Sequence, residues 1–386
     1  MNKPTRVLLL GVGVDAGAGQ YSAQLANSLA TRINTHVLLP DYDDTEFQAL
    51  LSSEVKIHTF DMPAQGSTIP SRDDFLSGMI DRMGILASVI RQIQYIDPTV
   101  VHIPFYTTGP LRSYLLPILK AMRLQIVGTV HDPQSHTGQE SMLFGTDLNE
   151  KGRALGGLLM DRTIVHGPET KKQALAAGYR EGRLRIVPHG VYTHFPEGGA
   201  EPELNQLLFF GHIRENKGYD RIPELLDLVA ERHPDVSAVV AGDLSDSADE
   251  AWGKRIIQRL QDHDHIELDQ GYISMEQTAK YFTESTAVVL PYYDATTSGV
   301  LRVAYRYSTP VVATDVGDMG YYVKHDDTGL VADSNAVEEI ADKTVRILQD
   351  PECREQLMVN LESVNERYSW ENIAEKTIEV YQEALL

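Results

Sequence analysis

The sequence predicts an α/β protein built from two doubly wound parallel sheets. Short apolar runs rich in β-branched residues alternate with amphipathic helical stretches, which is typical of parallel sheets covered by helices on both faces. The alternation occurs twice along the 386 residues, a length that suits about two domains. A Pro-, Gly- and Glu-rich segment, 187–203, lacks periodicity and separates the two series as an interdomain linker would.

Each series can be resolved into elements. In the first, the predicted strands are 6–12, 35–40, 55–60, 99–104, 124–130 and 162–166, and the predicted helices are 19–32, 72–95, 110–123 and 168–177. In the second, strands begin near 206, 236, 265, 287 and 310. Ligands of such domains bind where strands end and helices begin, so the loops that follow the strands are the places to search.

The charge is distributed unevenly between the two halves. The net charge is −21; residues 1–200 carry 18 Lys and Arg against 19 Asp and Glu, whereas residues 201–386 carry 16 against 36. An acidic half without a basic patch repels phosphate backbones, so nucleic acid is not expected as a partner. The absence of a long apolar segment predicts a soluble, cytoplasmic protein.

The first glycine-rich stretch, VLLLGVGVDAGAGQ at 7–20, matches GxGxxA from Gly11. A dinucleotide site is disfavoured, because Gly17 and Gly19 would fall inside its helix at about 1 kcal/mol each. The first acidic residue after the second strand, Asp41, also comes late. We predict a helix that starts at Gly19 or Gln20, after a flexible loop that lets a substrate approach the backbone. A nicotinamide or flavin site and a purely structural turn are the alternatives.

Two loops of the second half predict a diphosphate site. In FFGHIRENKG, 209–218, a strand ends at Gly211 and is followed by His212, Arg214 and Lys217. In DATTSGVL, 294–301, hydroxyl residues precede a helix whose free N–H groups attract anions. Surface ion pairing of the cations and an ordinary Ser N-cap are the alternative explanations of the separate loops.

Together these motifs resemble the retaining glycosyltransferases of family 4, whose GT-B fold has two Rossmann-like domains facing across a cleft. The resemblance runs over essentially the whole chain and includes TVHD at 129–132, VPHGV at 187–191, FGHIRENKG, DATTSGVL, TPVVATDVG at 309–317 and YSWENIAEKTIEVYQ at 368–382. It implies a domain at 1–190 that binds the acceptor, with the C-terminal helix 370–386 crossing back to it. It also implies a domain at 191–369 that binds a nucleotide-diphosphate sugar, transfer with retention, and no obligatory metal or other cofactor.

The same resemblance implies roles for individual residues. Lys217, with Arg214, acts on the diphosphate, and His131 lies near the sugar and acceptor. The residues expected to bind the donor are Gly211, His212, Tyr272, Asp294, Thr297, Ser298, Gly299, Val300 and Leu301, and those expected to bind the acceptor are Gly17, Ala18, Gly19 and Asp132.

Two departures from the family pattern stand out. His212 occupies the place of a usual arginine, for which Arg214 is a possible substitute. Two glutamates of the family, one on the donor sugar and one on the ribose, match places near Ala295 and Val303. Asp294 could still reach sugar hydroxyls, as in a subgroup with the spelling DATxSGV, but no residue is assigned to the ribose.

These departures keep other functions open. A catalytically degenerate member could bind a sugar nucleotide or serve as a partner subunit, and other GT-B chemistry includes sugar-nucleotide epimerisation; a Rossmann oxidoreductase is a further alternative. The acceptor could be a glycan, a lipid-linked molecule or a small molecule. The helix at 109–125 carries Arg112, Lys120 and Arg123 beside apolar residues. We expect at most weak peripheral binding to the inner face of a membrane there.

Overall fold

The chain forms two compact units. A computed structural model describes residues 5–10, 16–41, 48–61, 75–106, 110–133, 155–199, 203–245, 248–333 and 336–386. The first unit comprises the described residues up to Pro188 together with Trp370–Leu386, and the second comprises His189–Ser369.

Each unit is built on a parallel sheet. The strands of the first are β1 (Arg6–Leu10), β2 (Asn34–Pro40), β3 (Lys56–Phe60), β4 (Val100–Ile103), β5 (Gln125–Thr129), β6 (Arg162–Val165) and β7 (Leu184–Ile186). Those of the second are β8 (Glu203–Phe210), β9 (Ser237–Gly242), β10 (Ile266–Gln270), β11 (Ser285–Leu290), β12 (Val311–Thr314) and β13 (Gly329–Ala332). The spatial orders are 3-2-1-4-5-6-7 and 10-9-8-11-12-13. In each sheet the order reverses beside the first strand, and such a switch point creates a crevice at the carboxyl ends of the strands.

Helices connect the strands in both units. In chain order they are α1 (Ala16–Ala30), α2 (Phe75–Ile96), α3 (Pro110–Ala121), α4 (Pro168–Ala176), α5 (Ile222–Ala230), α6 (Glu250–Gln261), α7 (Met275–Glu284), α8 (Gly299–Arg306), α9 (Gly317–Asp326), α10 (Val337–Gln349), α11 (Pro351–Arg367) and α12 (Trp370–Ala384). None of the helices in the described part of the chain has the length and apolar character needed to span a bilayer.

The C-terminal helix α12 is part of the first unit. It packs beside α1 in an apolar cluster that includes Tyr21, Leu25 and Trp370. The Tyr381 hydroxyl lies 2.6 Å from Nδ1 of the buried His102 of β4. This polar contact fixes α12 against the sheet, in addition to its apolar packing against α1.

The second sheet has an apolar core on each face. Leu208, Val239 and Val288 pack into one cluster, whereas their chain neighbours Leu207 and Val240 pack into the other. This alternation is the expected consequence of strands whose successive side chains point to opposite faces, both covered by helices.

The start of α1 differs from the prediction. The helix begins at Ala16, so Gly17 and Gly19 lie inside it rather than before it. The helical cost of two glycines is about 2 kcal/mol, and burial of Tyr21 and Leu25 on the same helix outweighs it. The argument from helical glycine cost against a dinucleotide site was therefore wrong. Gly11 and the residues up to 15 lie outside the described residues.

Two strands were not predicted. β7 and β13 are short and lie at the edges of their sheets, so neither produces a long apolar run.

The predicted helix at 110–123 corresponds to α3, and its side chains can be examined from residue 115 onward. Leu115, Leu116 and Leu119 are buried in the core, and Lys120 pairs with Asp161 at 2.7 Å, as expected of a helix that covers a sheet.

Candidate functional site

The candidate site of the second unit begins with the loop after β8. Its backbone forms two 3₁₀ turns, Glu215–Lys217 and Tyr219–Arg221, joined by Gly218 at φ +69°. A side chain at Gly218 would be strained by this φ and would collide with the Pro291 carbonyl. Glycine therefore allows this loop to pack directly against the loop that follows β11.

Asn216 ties these two loops together. Its side-chain N–H donates to the Asp294 carbonyl at 3.0 Å, and its own carbonyl accepts from the backbone N–H of Tyr293 at 2.9 Å. Arg221 adds a hydrogen bond from Nη1 to the Pro291 carbonyl at 3.1 Å. The cationic loop and the DATTSGVL loop are consequently held at a fixed separation.

Lys217 is buried, and no acidic side chain in the described part of the chain pairs with it. Its side chain lies beneath the Tyr292 ring, with Nζ 5.7 Å from the centroid, and it makes no hydrogen bond or ion pair with any described residue. Burial, followed by the nearby charge of Arg214, lowers the pKa of Lys217 to about 7. The Arg214 Nε is also buried and has no hydrogen-bond partner among the described residues. Two neighbouring cations thus lack a counter-charge in the part of the unit that the structure describes.

The start of α8 provides backbone donors beside these cations. Ser298 is the N-cap, and its Oγ accepts from the Leu301 N–H at 3.3 Å. The N–H groups of Gly299 and Val300 find no acceptor within the described residues. A methyl group at Gly211 would lie 2.9 Å from Lys217 Nζ and 3.3 Å from Val300 Cγ2, so the two features meet at Gly211. A cationic loop and a helix N-terminus that converge in this way suit a phosphate-bearing ligand.

Other predicted donor residues lie around the same edge of the sheet. His212 is exposed, and Tyr272, which follows β10, is 77% exposed. Asp294 is half-buried, and Thr297 is also half-buried. Ala295 and Val303, the places of the family's glutamates, are both buried and apolar.

In the first unit, His131 lies close to α1. Its Nε2–H donates to the Pro104 carbonyl at 3.1 Å, its Nδ1 lies 3.1 Å from His166 Nε2, and its ring stacks on Phe105. Burial lowers the pKa of His131 to about 4. The edge-to-face contact with Tyr21 places it beside the helix that carries Gly17, Ala18 and Gly19. Both ring nitrogens are engaged within the unit, so a contact with a substrate would require one of these bonds to exchange.

Asp132, next to His131, is exposed. Among the residues that the structure describes, no three His, Cys, Asp or Glu side chains are placed to hold a metal ion together.

Some residues of the site were missed in the sequence. Asn216 and Arg221 bind backbone carbonyls, and nothing in their spacing signals that contact. Arg302 lies in α8 and is 3% exposed, and its buried Nη1 has no described hydrogen-bond partner. Its only sequence signal is a charged residue on the apolar side of a helix.

Comparison with known families gives two matches. Residues 16–195 match the family model described as Glycosyltransferase Family 4, and residues 193–362 match the one described as Glycosyl transferases group 1. The fold is the GT-B fold, and the two family models match successive parts of the chain.

Curated relatives share modest identity with this chain. An uncharacterised glycosyltransferase of Methanocaldococcus jannaschii is 27% identical over 48% of this chain and 47% of its own length. A D-inositol 3-phosphate glycosyltransferase of Pseudarthrobacter chlorophenolicus is 26% identical over 53% of this chain and 51% of its own length. The chain therefore spans about half the length of these two relatives. An alpha-maltose-1-phosphate synthase of Mycolicibacterium smegmatis is 24% identical over 85% of this chain and 90% of its own length.

Solved structures match along nearly the whole chain. A sucrose-phosphate synthase from Thermosynechococcus elongatus superposes with a TM-score of 0.74 at 19% identity, covering 98% of both chains. HepE of Anabaena, in complex with UDP and glucose, has a TM-score of 0.68 at 16% identity and covers 98% of this chain and 99% of its own. At these identities the likeness establishes the fold.

Proposed function

We propose that this chain is a retaining glycosyltransferase that moves a hexose from a nucleotide-diphosphate sugar to a hydroxyl acceptor. The observation that carries the proposal is the convergence of Lys217 and the first turn of α8 at Gly211, with the charge of Arg214 close to Lys217. A buried lysine beside a partly buried arginine, neither with a described counter-charge, is costly, and a bound diphosphate supplies that charge. HepE and another structural neighbour are described as complexes with UDP, UDP-glucose or ADP, which supports a nucleotide donor for this chain.

The proposed chemistry follows from where charge develops. When the bond between the sugar and the diphosphate breaks, negative charge accumulates on the leaving diphosphate. Groups that bind this charge more tightly as it develops lower the barrier. Lys217 and the N–H groups of Gly299 and Val300 are placed for this role. We assign no metal or other cofactor to the reaction.

The two units receive separate roles in this proposal. Residues 191–369 bind the donor, whereas residues 1–190 with 370–386 bind the acceptor, near His131 and the first turn of α1. Asp294 is assigned to the sugar hydroxyls, which groups the chain with glycosyltransferases that share the DATxSGV spelling. We propose a cytoplasmic location, with a glycan, lipid-linked or small-molecule acceptor.

A second candidate function is binding without transfer. It is favoured by Ala295 and Val303, because these buried apolar residues replace the two carboxylates with which the family holds the sugar and ribose. In that case the cationic site binds the sugar nucleotide but nothing orients the sugar for reaction.

A screen separates the candidates. The protein is incubated with UDP-, GDP- and ADP-sugars, with NAD(P), and with a panel of hydroxyl acceptors. A transferase releases nucleoside diphosphate from one donor and yields a product with the donor's anomeric configuration, read by NMR coupling constants. Binding of a donor without release supports the second candidate. Inversion refutes retention, and isomerised donor or cofactor reduction refutes the transferase.

A further inference from the structure

Arg302 is a buried cation that nothing in the proposed chemistry yet uses. It is 3% exposed, and its Nη1 is shielded from solvent without a hydrogen-bond partner among the described residues. No described carboxylate forms an ion pair with it. A buried guanidinium without a paired carboxylate is costly for a folded protein to retain.

Three tyrosine rings surround the guanidinium. Its Cζ lies 4.5 Å from the Tyr322 centroid, 4.8 Å from that of Tyr368 and 5.3 Å from that of Tyr305. Two buried carboxylates lie near these rings. Asp326 accepts hydrogen bonds from the Tyr368 hydroxyl and from Arg367, and Asp318, which is 1% exposed, lies in the same helix as Tyr322. Cation–π contacts recover part of the cost of burial, but they neither neutralise the charge nor satisfy Nη1.

Arg302 belongs to the N-terminal half of α8. Arg302 is the fourth residue of the helix, and helical side chains lean toward the N-terminus, over the turn that contains Gly299 and Val300. Tyr192 contacts this first turn, because its hydroxyl lies 3.6 Å from the position of a Cβ on Gly299. Tyr192 belongs to the same buried cluster as Tyr305, Tyr322 and Tyr368, the three tyrosines around Arg302. Burial raises the pKa of Tyr192, and the Arg302 charge opposes that rise.

We infer that Arg302 is a third cation of the diphosphate site, held under the first turn of α8 and acting on a bound anion through its charge and through Tyr192. The inference rests on the proposed function of that site. Because it works from beneath the helix, Arg302 is a positioning residue rather than one that touches the sugar. A bound diphosphate supplies the counter-charge that the unliganded residue lacks.

The test compares binding of inorganic pyrophosphate, UDP and uridine by calorimetry in wild type and Arg302→Met. Methionine keeps the apolar volume of the arginine stem but removes the charge. We expect pyrophosphate and UDP to bind at least about tenfold more weakly, a loss of about 1.4 kcal/mol. Uridine, which has no phosphate, should bind as in wild type.

Arg306→Met is the matched control. Arg306 is in the same helix, near its C-terminal end, and lies beside the Tyr307 ring with a buried Nε that also lacks a described partner. Its substitution should leave all three affinities unchanged. Arg302→Lys, which keeps the charge, should retain most of the pyrophosphate affinity.

The outcomes are distinct. Unchanged pyrophosphate affinity in Arg302→Met overturns the inference, as does an equal loss of uridine binding, an equal loss in Arg302→Lys, or an equal effect of Arg306→Met. If Arg302→Met does not fold, Arg302→Gln against Arg302→Lys decides by the same criterion. A wild-type protein that binds neither pyrophosphate nor any nucleoside diphosphate refutes the proposed function instead.

Discussion

Replacement of Lys217 by alanine tests the proposed donor site at its central residue. The variant removes the buried ammonium but leaves the backbone of the loop in place, because Asn216 and Gly218 make the contacts with the neighbouring loop. The Nζ atom makes no hydrogen bond or ion pair within the described residues, so its loss leaves no described partner unsatisfied.

The size of the effect follows from the environment of the charge. A charge-assisted hydrogen bond contributes about 1.5 to 3 kcal/mol where water is partly excluded, which corresponds to roughly 10- to 150-fold in kcat/KM. The alanine variant should also fold. Burial lowers the Lys217 pKa from 10.5 to about 7, so the folded state binds fewer protons than the unfolded state between these values. The charge therefore destabilises the fold below pH 7, and this penalty declines as pH rises toward 10.5.

The assay is the release of nucleoside diphosphate from the donor that the screen identifies, measured at saturating acceptor. Lys254→Ala serves as the control, because this exposed lysine of α6 pairs with Glu250 one helical turn away. Urea denaturation at several pH values reports stability. Unchanged kcat/KM in Lys217→Ala would refute the assignment, whereas equal losses in both variants would show an effect unrelated to the site.

Three further predictions follow from the same structure. Above pH 7 the free protein increasingly carries neutral Lys217, so binding of a diphosphate should take up a proton, and its affinity should fall by up to about tenfold per pH unit. Calorimetry in buffers of different ionisation enthalpy would detect the proton uptake. An affinity that does not change with pH would contradict the prediction. Gly218→Ala should lower the free energy of unfolding by more than about 1 kcal/mol in urea melts, because of its positive φ and the Pro291 carbonyl; equal stability would contradict the geometry. When the protein is sedimented with anionic vesicles at physiological salt, it should remain in the supernatant, because Lys120 is paired with Asp161. Strong co-sedimentation of the wild type that disappears in the double variant Lys120→Glu/Arg123→Glu would contradict this prediction.

Most of the architecture could be predicted because parallel strands covered on both faces produce apolar runs that are visible in one sequence. The failures have local causes. β7 contains only three residues, and β13, which is as long as the predicted β12, lies like β7 at the edge of its sheet. The start of α1 was misplaced because intrinsic glycine cost was weighed without the tertiary burial of Tyr21 and Leu25 that overrides it.

The candidate site was predicted in part. Lys217 and Ser298 could be singled out because a cation after a strand and a hydroxyl before a helix have a local chemical meaning; their roles toward a donor stay predictions. The Ser N-cap, which was the alternative explanation of the second loop, is confirmed at Ser298. Asn216 and Arg302 were missed because their contacts are distant in sequence. Asn216 binds the Asp294 carbonyl, 78 residues away, and Arg302 contacts Tyr322 and Tyr368 as well as Tyr305 of its own helix. Such contacts leave no spacing pattern in the chain.

The most direct test of the central claim is a crystal structure of the protein with the nucleoside diphosphate that the donor screen identifies. The account predicts diphosphate oxygens within hydrogen-bonding distance of Lys217 Nζ and of the N–H groups of Gly299 and Val300. A nucleotide bound at full occupancy with its diphosphate away from these three groups would contradict it.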